Sequence, residues 1–538
     1  MSDSIACARG VIGQLLAQGV TDLVLAPGSR SAPLALVASA AAARGLLRLH
    51  VRVDERGAGF LALGLAKASG RCVPVVTTSG TAVGNLVPAV MEASHSGVPL
   101  VVVSADRPAA LVGTGANQTT EQSDLFGGFV RYRARISSAA PPPSWTAQVA
   151  RATLAALGTL SRHPGPVQLN VELSVPLVPA DSGVEPPPAA SAVRGGTPST
   201  PEPVELTGTP PTVVVCGDAA PAVGRAARRF AEEAGLPLLA EPSSNARAGA
   251  HALATGRLLL AGRLGGLVER VVVFGRPTLS RPVTMLLTRP DVEVVVVADT
   301  PDYLDPGWRA GLVAPAVSVA PGPRAWLDDW RAADVRAAAR VAAVKGSGAL
   351  AGPELARLVL GSVPADGVLV LGNSNPIRDA DLAPVRSDAL PVYANRGLAG
   401  IDGTLATATG IALATAAPTT LLCGDLTFFH DAGSLAIGPG EPRPDLRIVV
   451  ADDRGGSIFA TLEYGQERFA GSFERVFATP TGVDPVALAR GYGVPARRFG
   501  DADGVSGALA RPWEGLEVLV VDIDRSERTG LERSLLDG

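Results

Sequence analysis

Residues 419–460, TTLLCGDLTFFHDAGSLAIGPGEPRPDLRIVVADDRGGSIFA, leave a folding chain few options. An apolar run at 419–423 reads as a buried strand and ends in Gly424-Asp425-Leu426. A mixed segment beginning FFHDAGSL follows and breaks at Arg443-Pro444. A second apolar run at 446–451 reads as another strand and ends in Asp452-Asp453-Arg454-Gly455-Gly456. Two buried strands joined by a connection of this length form a βαβ unit, and such strands are parallel. Their polar stations then lie at strand carboxyl ends, where open α/β sheets bind ligands.

Carboxylates at that edge suit a diphosphate held through a hard divalent cation, which takes oxygen ligands. Asp425 and Asp453 are candidate metal ligands, with a carbonyl at Gly455 as a third. Gly455 and Gly456 let backbone approach phosphate closely. Taken alone, the residues fit equally well two strand-to-helix turns in which Asp caps a helix.

The same rhythm recurs along the chain. Strands are expected at 22–26, 47–53, 73–77 and 100–103, each running into a polar, mostly Gly- or Arg-bearing turn. Others are expected at 213–215, 271–274 and 292–298, then at 368–371, 392–394 and 516–521. Strands alternating with Ala-rich helical stretches imply parallel sheets. The fold class is therefore α/β, with three consecutive parallel-sheet domains at 1–180, 212–340 and 341–538. A Pro/Gly/Ser/Thr-rich linker at 181–211 separates the first two. The middle segment opens with GDAAPAVG where a dinucleotide site needs GxGxxG, so an architectural role is expected of it.

Composition removes several function classes. Net charge is −4 and no basic stripe appears, which argues against a nucleic-acid partner. The four cysteines, Cys7, Cys72, Cys216 and Cys423, lack CxxC spacing, and the five histidines are scattered, so no zinc site is indicated. No secretion signal and no apolar run of about 18 residues occurs. A cytoplasmic protein without a membrane span is expected.

Beyond these bounds the turns add up to a pattern. APGSRSAPL (26–34), DERGAGFLALGLAKASG (54–70), TSGTAVGNL (78–86), SADRP (104–108), GANQTTEQ (115–122), GNSNPIRD (372–379) and ANRGLAGIDG (394–403) precede the GDL and DDRGG stations. Together they resemble the 2-succinyl-5-enolpyruvyl-6-hydroxy-3-cyclohexene-1-carboxylate synthase branch of the thiamine-diphosphate enzymes, which serves menaquinone biosynthesis. Leu426 departs from the superfamily's GDG, and Asp452-Asp453 stands in place of its NN.

The resemblance implies a thiamine-diphosphate-binding fold, with the first segment binding the pyrimidine and the third the diphosphate. It implies Glu55, Arg396 and Ile401 as catalytic: Glu55 on the aminopyrimidine, Ile401 propping the cofactor in its bent form. From the residues alone, Glu55 would read as a surface ion pair with Arg52 or Arg56, and Ile401 as core. Cofactor contacts are implied at Gly28, Thr78, Ser79, Asn85, Gln118, Leu426, Gly455 and Gly456 as well as at Asp425. Magnesium or manganese would sit on Asp425, Asp453 and Gly455. Substrate contacts are implied at Ser29, Arg30, Arg107, Ser374, Arg378 and Arg396, and Arg281 is the nearest match to a basic residue of the middle segment.

The implied reaction decarboxylates 2-oxoglutarate and adds the resulting succinyl-semialdehyde carbanion to isochorismate. Both substrates are dicarboxylates, and Arg pairs with carboxylate bidentately. A homodimer or homotetramer with sites shared between chains is also implied. The alternatives are an acetolactate-synthase-like carboligase or 2-oxoacid decarboxylase, a nucleotide-dependent oxidoreductase, and an inactive binding protein of the same fold.

Overall fold

The computed structural model describes residues 3–178, 183–196, 201–525, 528 and 530. It contains a six-stranded, a five-stranded and a second six-stranded sheet, with a two-stranded pair beside them. All their strand pairings are parallel. The first sheet runs Arg48–Val51, Asp22–Leu25, Val73–Thr77, Leu100–Asp106, Val167–Glu172, Tyr132–Ser137. In chain order that is 2-1-3-4-6-5. The last sheet has the same order: Val392–Tyr393, Val368–Leu371, Thr419–Gly424, Leu446–Asp452, Leu516–Asp522, Ala496–Phe499. The five-stranded sheet, built from Thr212–Cys216 to Ala310–Ala314, is ordered 2-1-3-4-5. Each sheet thus has a switch point between its first and third strands, the place where ligands enter open sheets.

Alternation along the strands builds a core on each face. In the first sheet Leu23, Leu25, Val101 and Val103 pack with helices Asp3–Ala17, Ala32–Ala43 and Pro142–Ala156. Val24, Leu100 and Val102 pack instead with Glu55–Ser69 and Val87–Ser96. Helix Thr404–Thr415 joins that second face and lies close against Glu55–Ser69. A Cβ on Gly64 would stand 2.2 Å from the Thr407 carbonyl oxygen, and one on Gly410 2.3 Å from that of Leu61.

Compactness divides the chain differently from the sequence expectation. One unit gathers 1–198 with 397–416 and 431–444; the other gathers 199–396 with 417–430 and 445–538. The expected segment 341–538 is therefore split between them. Tertiary packing of Thr404–Thr415 decides this, and periodicity carries no information about it.

The expected linker also departs from free chain. Residues 181, 182 and 197–200 lie outside the described residues. Before them, the Val193 N–H donates to Gln18 Oε1 at 2.8 Å and Gln14 Nε2 donates to the Ser191 carbonyl at 3.1 Å. After them, Val204–Leu206 is a strand paired with Val317–Val319. Proline leaves this stretch short of backbone donors, so side-chain amides and one short pairing satisfy it.

Seven strands among the described residues are not predicted by the sequence pattern: Tyr132–Ser137, Val167–Glu172, Val204–Leu206, Leu238–Ala240, Ala310–Ala314, Val317–Val319 and Ala496–Phe499. Two of them, YRARIS and ARRF, form sheet edges and carry arginines. VQLNVE is fully buried yet carries Gln168 and Asn170, which break its apolar pattern. All four cysteines are buried and form no disulfide among the described residues, with burial pushing Cys7 and Cys72 up to about 12. No helix among the described residues is long and apolar enough to cross a membrane.

Candidate active site

In the first compact unit the turns after the first and third strands meet at the switch point. A Cβ on Gly28 would lie 2.3 Å from Thr78 Cβ, so only glycine permits this approach. The hydroxyls of Thr77 and Thr78 are buried without a partner among the described residues. Ser79 Oγ donates to the Gln118 carbonyl at 2.8 Å, and Gln118 Nε2 returns to the Ser79 carbonyl at 3.0 Å. Gln118 holds φ +55° to do so.

Arg107 closes this cluster, donating from Nη1 to Ser79 Oγ at 2.9 Å and to the Gln118 carbonyl at 2.7 Å. Arg30 Nη1 is pinned on the Leu173 carbonyl at 2.8 Å. Burial, then the neighbouring Arg107, pull the Arg30 pKa down, while Asp106 opposes them. Two guanidinium groups near enough to repel each other make a place for an anion.

Glu55 opens helix Glu55–Ser69, whose cap is Asp54 accepting from the Arg56 and Gly57 N–H groups at 3.1 and 3.2 Å. Neither ion pair considered for Glu55 forms. Arg52 turns to Glu441 at 3.4 Å and Arg56 to Asp431 at 3.9 Å. Glu55 stays half-buried with no ion-pair partner among the described residues. Ser29 and Asn85 are exposed and Ile401 is half-buried. Glu55, Asn85 and Ile401 make no hydrogen bond to the Ser79–Gln118–Arg107 cluster among the described residues.

In the second unit Thr419–Gly424 and Leu446–Asp452 pair in register, with Gly424 opposite Ala451. That brings Asp425 and Asp453 together at the sheet's carboxyl edge. Burial, and then the Asp453 charge, push Asp425 up to about 8; burial pushes Asp453 up to about 6. Asp425 accepts the Leu426 N–H at 2.7 Å and is also hydrogen-bonded by the Gly455 N–H. Asp453 accepts from Ser457 Oγ with one oxygen, and its Oδ1 is buried with no partner among the described residues.

Asn375 stands beside them, donating to Ser457 Oγ at 2.7 Å, and its own Oδ1 has no partner among the described residues. Two buried carboxylates that disfavour one another, with orphaned oxygens at hand, fit a hard cation. Gly455 adopts φ +139°, and a Cβ there would reach 2.4 Å from the Ala478 carbonyl oxygen. No group of three His, Cys, Asp or Glu side chains suited to a metal occurs among the described residues. The remaining ligands would come from backbone, water and phosphate, the usual magnesium arrangement.

Asp452 is engaged elsewhere. It accepts from Arg498 Nη1 at 2.8 Å, and that guanidinium also bonds Asp484 at 3.0 Å and Asp522. Its charge is thereby offset next to the Asp453 station. Arg498 and Ser457 were not singled out from sequence, and nothing in their spacing marks them. Asn375 adjoins Ser374 inside the GNSNPIRD motif, so a signal for it was present.

The same unit gathers the remaining arginines. Arg396 is 3% exposed and forks between Asn373 Oδ1 and Thr278 Oγ1, each at 2.8 Å. Arg378 folds back on the Ser374 carbonyl at 2.8 Å, and Ser374 has φ +73°. A cleft of about 320 Å³ is lined by Arg257, Arg281, Arg378, Leu279 and Ile458, among others. Arg281 thus lies on the same cleft as Arg378. Arg257, unremarked in the sequence, pairs with Asp381 at 3.2 Å and donates to the Arg378 carbonyl.

Thr278, Arg281 and Arg257 all come from the middle segment, where the resemblance implies a basic residue at Arg281. The segment's switch point is closed to a dinucleotide. Asp218 and Arg276 exchange backbone hydrogen bonds across it at 3.1 and 3.0 Å, and a Cβ on Gly217 would lie 1.9 Å from Pro277 N.

Comparison with known proteins adds to this geometry. The thiamine pyrophosphate enzyme N-terminal TPP binding domain family matches residues 6–125. A 2-succinyl-5-enolpyruvyl-6-hydroxy-3-cyclohexene-1-carboxylate synthase of Kineococcus radiotolerans is 51% identical, over 99% of this chain and 98% of its own. Synthases of the same name from a Nocardioides species and from Paenarthrobacter aurescens are 48% and 47% identical. They cover 98% and 97% of this chain, and 97% and 94% of their own.

Proposed function

The chain belongs to the 2-succinyl-5-enolpyruvyl-6-hydroxy-3-cyclohexene-1-carboxylate synthase family of thiamine-diphosphate enzymes, and from that premise we propose how its residues run the reaction. The substrates are 2-oxoglutarate, which loses carbon dioxide, and isochorismate, which accepts the remaining four-carbon unit by conjugate addition. The observation that carries this reading is the distribution of arginines. Arg30 and Arg107 flank the first unit's cofactor turns, and Arg281, Arg378 and Arg396 gather in the second unit. A small apolar 2-oxoacid would not need five cations, whereas two dicarboxylates would.

Bound thiamine diphosphate supplies the carbon nucleophile and the electron sink for decarboxylation. Asp425, Asp453 and the Gly455 carbonyl would hold Mg²⁺ or Mn²⁺ and, through it, the diphosphate. Gly28, Thr78, Ser79, Asn85, Gln118, Leu426 and Gly456 would line the rest of the cofactor, with Ile401 beneath its bend. Glu55, free of ion pairs, is available to hold a proton against the aminopyrimidine. The arginines, with Ser29 and Ser374, orient the two acids, so the carbon–carbon bond forms between pre-positioned partners. Arg396, held rigidly by Asn373 and Thr278, loses little entropy on gripping a carboxylate.

We assign residues 1–180 to pyrimidine binding, 212–340 to a central domain and 341–538 to diphosphate binding. The active species is a homodimer or larger, with Glu55 of one chain serving the site that holds Asp425 of another. The protein works in the cytoplasm.

A coupled assay tests this. Protein, thiamine diphosphate and Mg²⁺ are mixed with 2-oxoglutarate, with and without isochorismate, while isochorismate loss and product mass are followed. Isochorismate consumption that requires both 2-oxoglutarate and cofactor is expected. Carbon dioxide release from pyruvate with isochorismate untouched would overturn the substrate assignment in favour of an acetolactate-synthase-like enzyme.

A further inference from the structure

Beneath the Ser79–Gln118–Arg107 cluster lies a row of polar side chains where a sheet interior is normally apolar. Strands Leu100–Asp106 and Val167–Glu172 pair with Ser104 opposite Asn170. Ser104, Asp106, Gln122, Gln168 and Asn170 are all buried. Burying such groups costs several kcal/mol unless each finds a partner, and these are extensively bonded to one another.

The bonds run in one direction. The Gly80 N–H donates to Gln122 Oε1 at 3.1 Å. Gln122 Nε2 donates to Asn170 Oδ1 at 2.9 Å and to the Ala105 carbonyl at 3.1 Å. Ser104 Oγ donates to Asn170 Oδ1 at 2.9 Å, and Asn170 Nδ2 donates to Asp106 Oδ2 at 2.8 Å. The other Asp106 oxygen accepts the Arg107 N–H at 2.7 Å. An ionised carboxylate only accepts, so Asp106 compels Asn170 to face it with nitrogen. That turns the Asn170 oxygen to Gln122, and the Gln122 oxygen to Gly80. Asp106 thus sets the polarity of the whole row.

Both ends of the row are functional positions. Gly80 follows Ser79 in the cofactor turn, and Arg107 reaches back to Ser79 Oγ. The strand bearing Asn170 leads to Leu173, whose carbonyl holds Arg30 and whose N–H donates to the Asp106 carbonyl at 2.9 Å.

We propose that Asp106, Asn170 and Gln122 act together as positioning residues that lock the cofactor turn at Ser79–Gly80 and the substrate-binding Arg107 in one mutual geometry, an inference that rests on the function proposed above. An apolar core could supply stability here. A polar relay of fixed direction supplies one unique arrangement, since reversing the Asn170 or the Gln122 amide disrupts three bonds.

The test is a swap. Asn170→Asp places two carboxylate oxygens face to face with Asp106. The double variant Asp106→Asn/Asn170→Asp reverses one donor and one acceptor, so every hydrogen bond in the row is kept and net charge equals that of the wild type. For Asn170→Asp, KM for 2-oxoglutarate or isochorismate should rise about tenfold, more than kcat falls. The dissociation constant of thiamine diphosphate, read by tryptophan fluorescence with Mg²⁺ present, should rise too. The double variant should recover both to within about threefold of the wild type. A double variant no better than the single, or a single variant that melts earlier with both constants unmoved, would overturn the proposal.

Should Asn170→Asp not fold, Gln122→Met keeps the volume and strands the Gly80 N–H. It should weaken cofactor binding about tenfold, and unchanged binding would overturn the relay. A wild type that never consumes isochorismate overturns the proposed function instead, and the cofactor titrations still decide the relay.

Discussion

One carboxylate oxygen of Glu92 accepts the N–H of Gly397 and the other that of Leu398, both at 2.8 Å. Glu92 is 4% exposed on helix Val87–Ser96, and the backbone it clamps leads to Ile401. Glu92→Ala would remove both hydrogen bonds, from the half-buried Gly397 and the exposed Leu398, at about 1 kcal/mol each. The expected result is a lower melting temperature together with weaker thiamine diphosphate binding by fluorescence titration. A variant that melts and binds like the wild type would show the clamp to be dispensable.

Glu55→Gln keeps size and removes the proton-sharing carboxyl, so activity should fall about 10²–10⁴-fold with folding intact. Asp425→Ala should be similarly inactive through loss of the cation. If sites are shared between chains, mixing the two variants under conditions that exchange subunits restores part of the activity. Mixtures as inactive as either parent, with hybrid dimers verified by mass spectrometry, would rule the shared site out.

Burial lifts Glu241 from 4.5 to about 8, against the stabilising N–H of Leu279 and the nearby Arg396. A folded-state pKa raised this way favours the fold below 4.5, and that contribution is lost as pH rises through about 8. Glu241→Gln still accepts from Leu279 and cannot ionise. Its melting temperature relative to the wild type should therefore improve between pH 6 and pH 9. A constant difference across that range would place the charge cost elsewhere.

Asp22 behaves in the opposite sense. Burial pushes its carboxyl up, but hydrogen bonds from His50, Arg48 and Thr21 together bring it down to about 2 from 3.8. The stability this contributes is present above 3.8 and is lost as pH falls through about 2. Asp22→Asn should cost about 2 kcal/mol at pH 6, read by chemical denaturation, and much less near pH 2. Equal costs at both pH values would contradict an ionic origin.

Gly64 tests the helix pairing that assigns 397–416 to the first unit. Gly64→Ala places a methyl group 2.2 Å from the Thr407 carbonyl oxygen, and backbone cannot yield as a side chain can. Overpacking of this kind costs about 1–3 kcal/mol, so the melting temperature should fall. Gly84→Ala, with nothing within 4 Å of the new Cβ, is the control that should melt unchanged.

Much of the architecture was legible because its signals are local. Apolar runs such as those ending at Thr77, Leu371 and Asp452 mark buried parallel strands, and the turns after them carry the motifs behind the family resemblance. Strand Val167–Glu172 escaped because Gln168 and Asn170 interrupt its pattern, and those amides are buried with Ser104, Asp106 and Gln122 of other segments as their partners. Arg498 escaped because its role depends on Asp452, Asp484 and Asp522 converging from separate stretches.

By itself the sequence determined the α/β class, the family, and the identity of the carboxylates and arginines at the strand ends, since residue type and short-range spacing suffice for each. Tertiary structure alone decided which carboxylate keeps an oxygen without a partner among the described residues and which is paired off, as Asp453 and Asp452 show one residue apart. It decided that Glu55 makes no ion pair with Arg52 or Arg56, that Thr278 of the middle segment bonds Arg396, and that Arg257 and Arg281 of that segment line one cleft with Arg378. The physical reason is common to all of these. Burial and pairing depend on which distant segments the fold brings within hydrogen-bonding reach, and no local pattern records that distance.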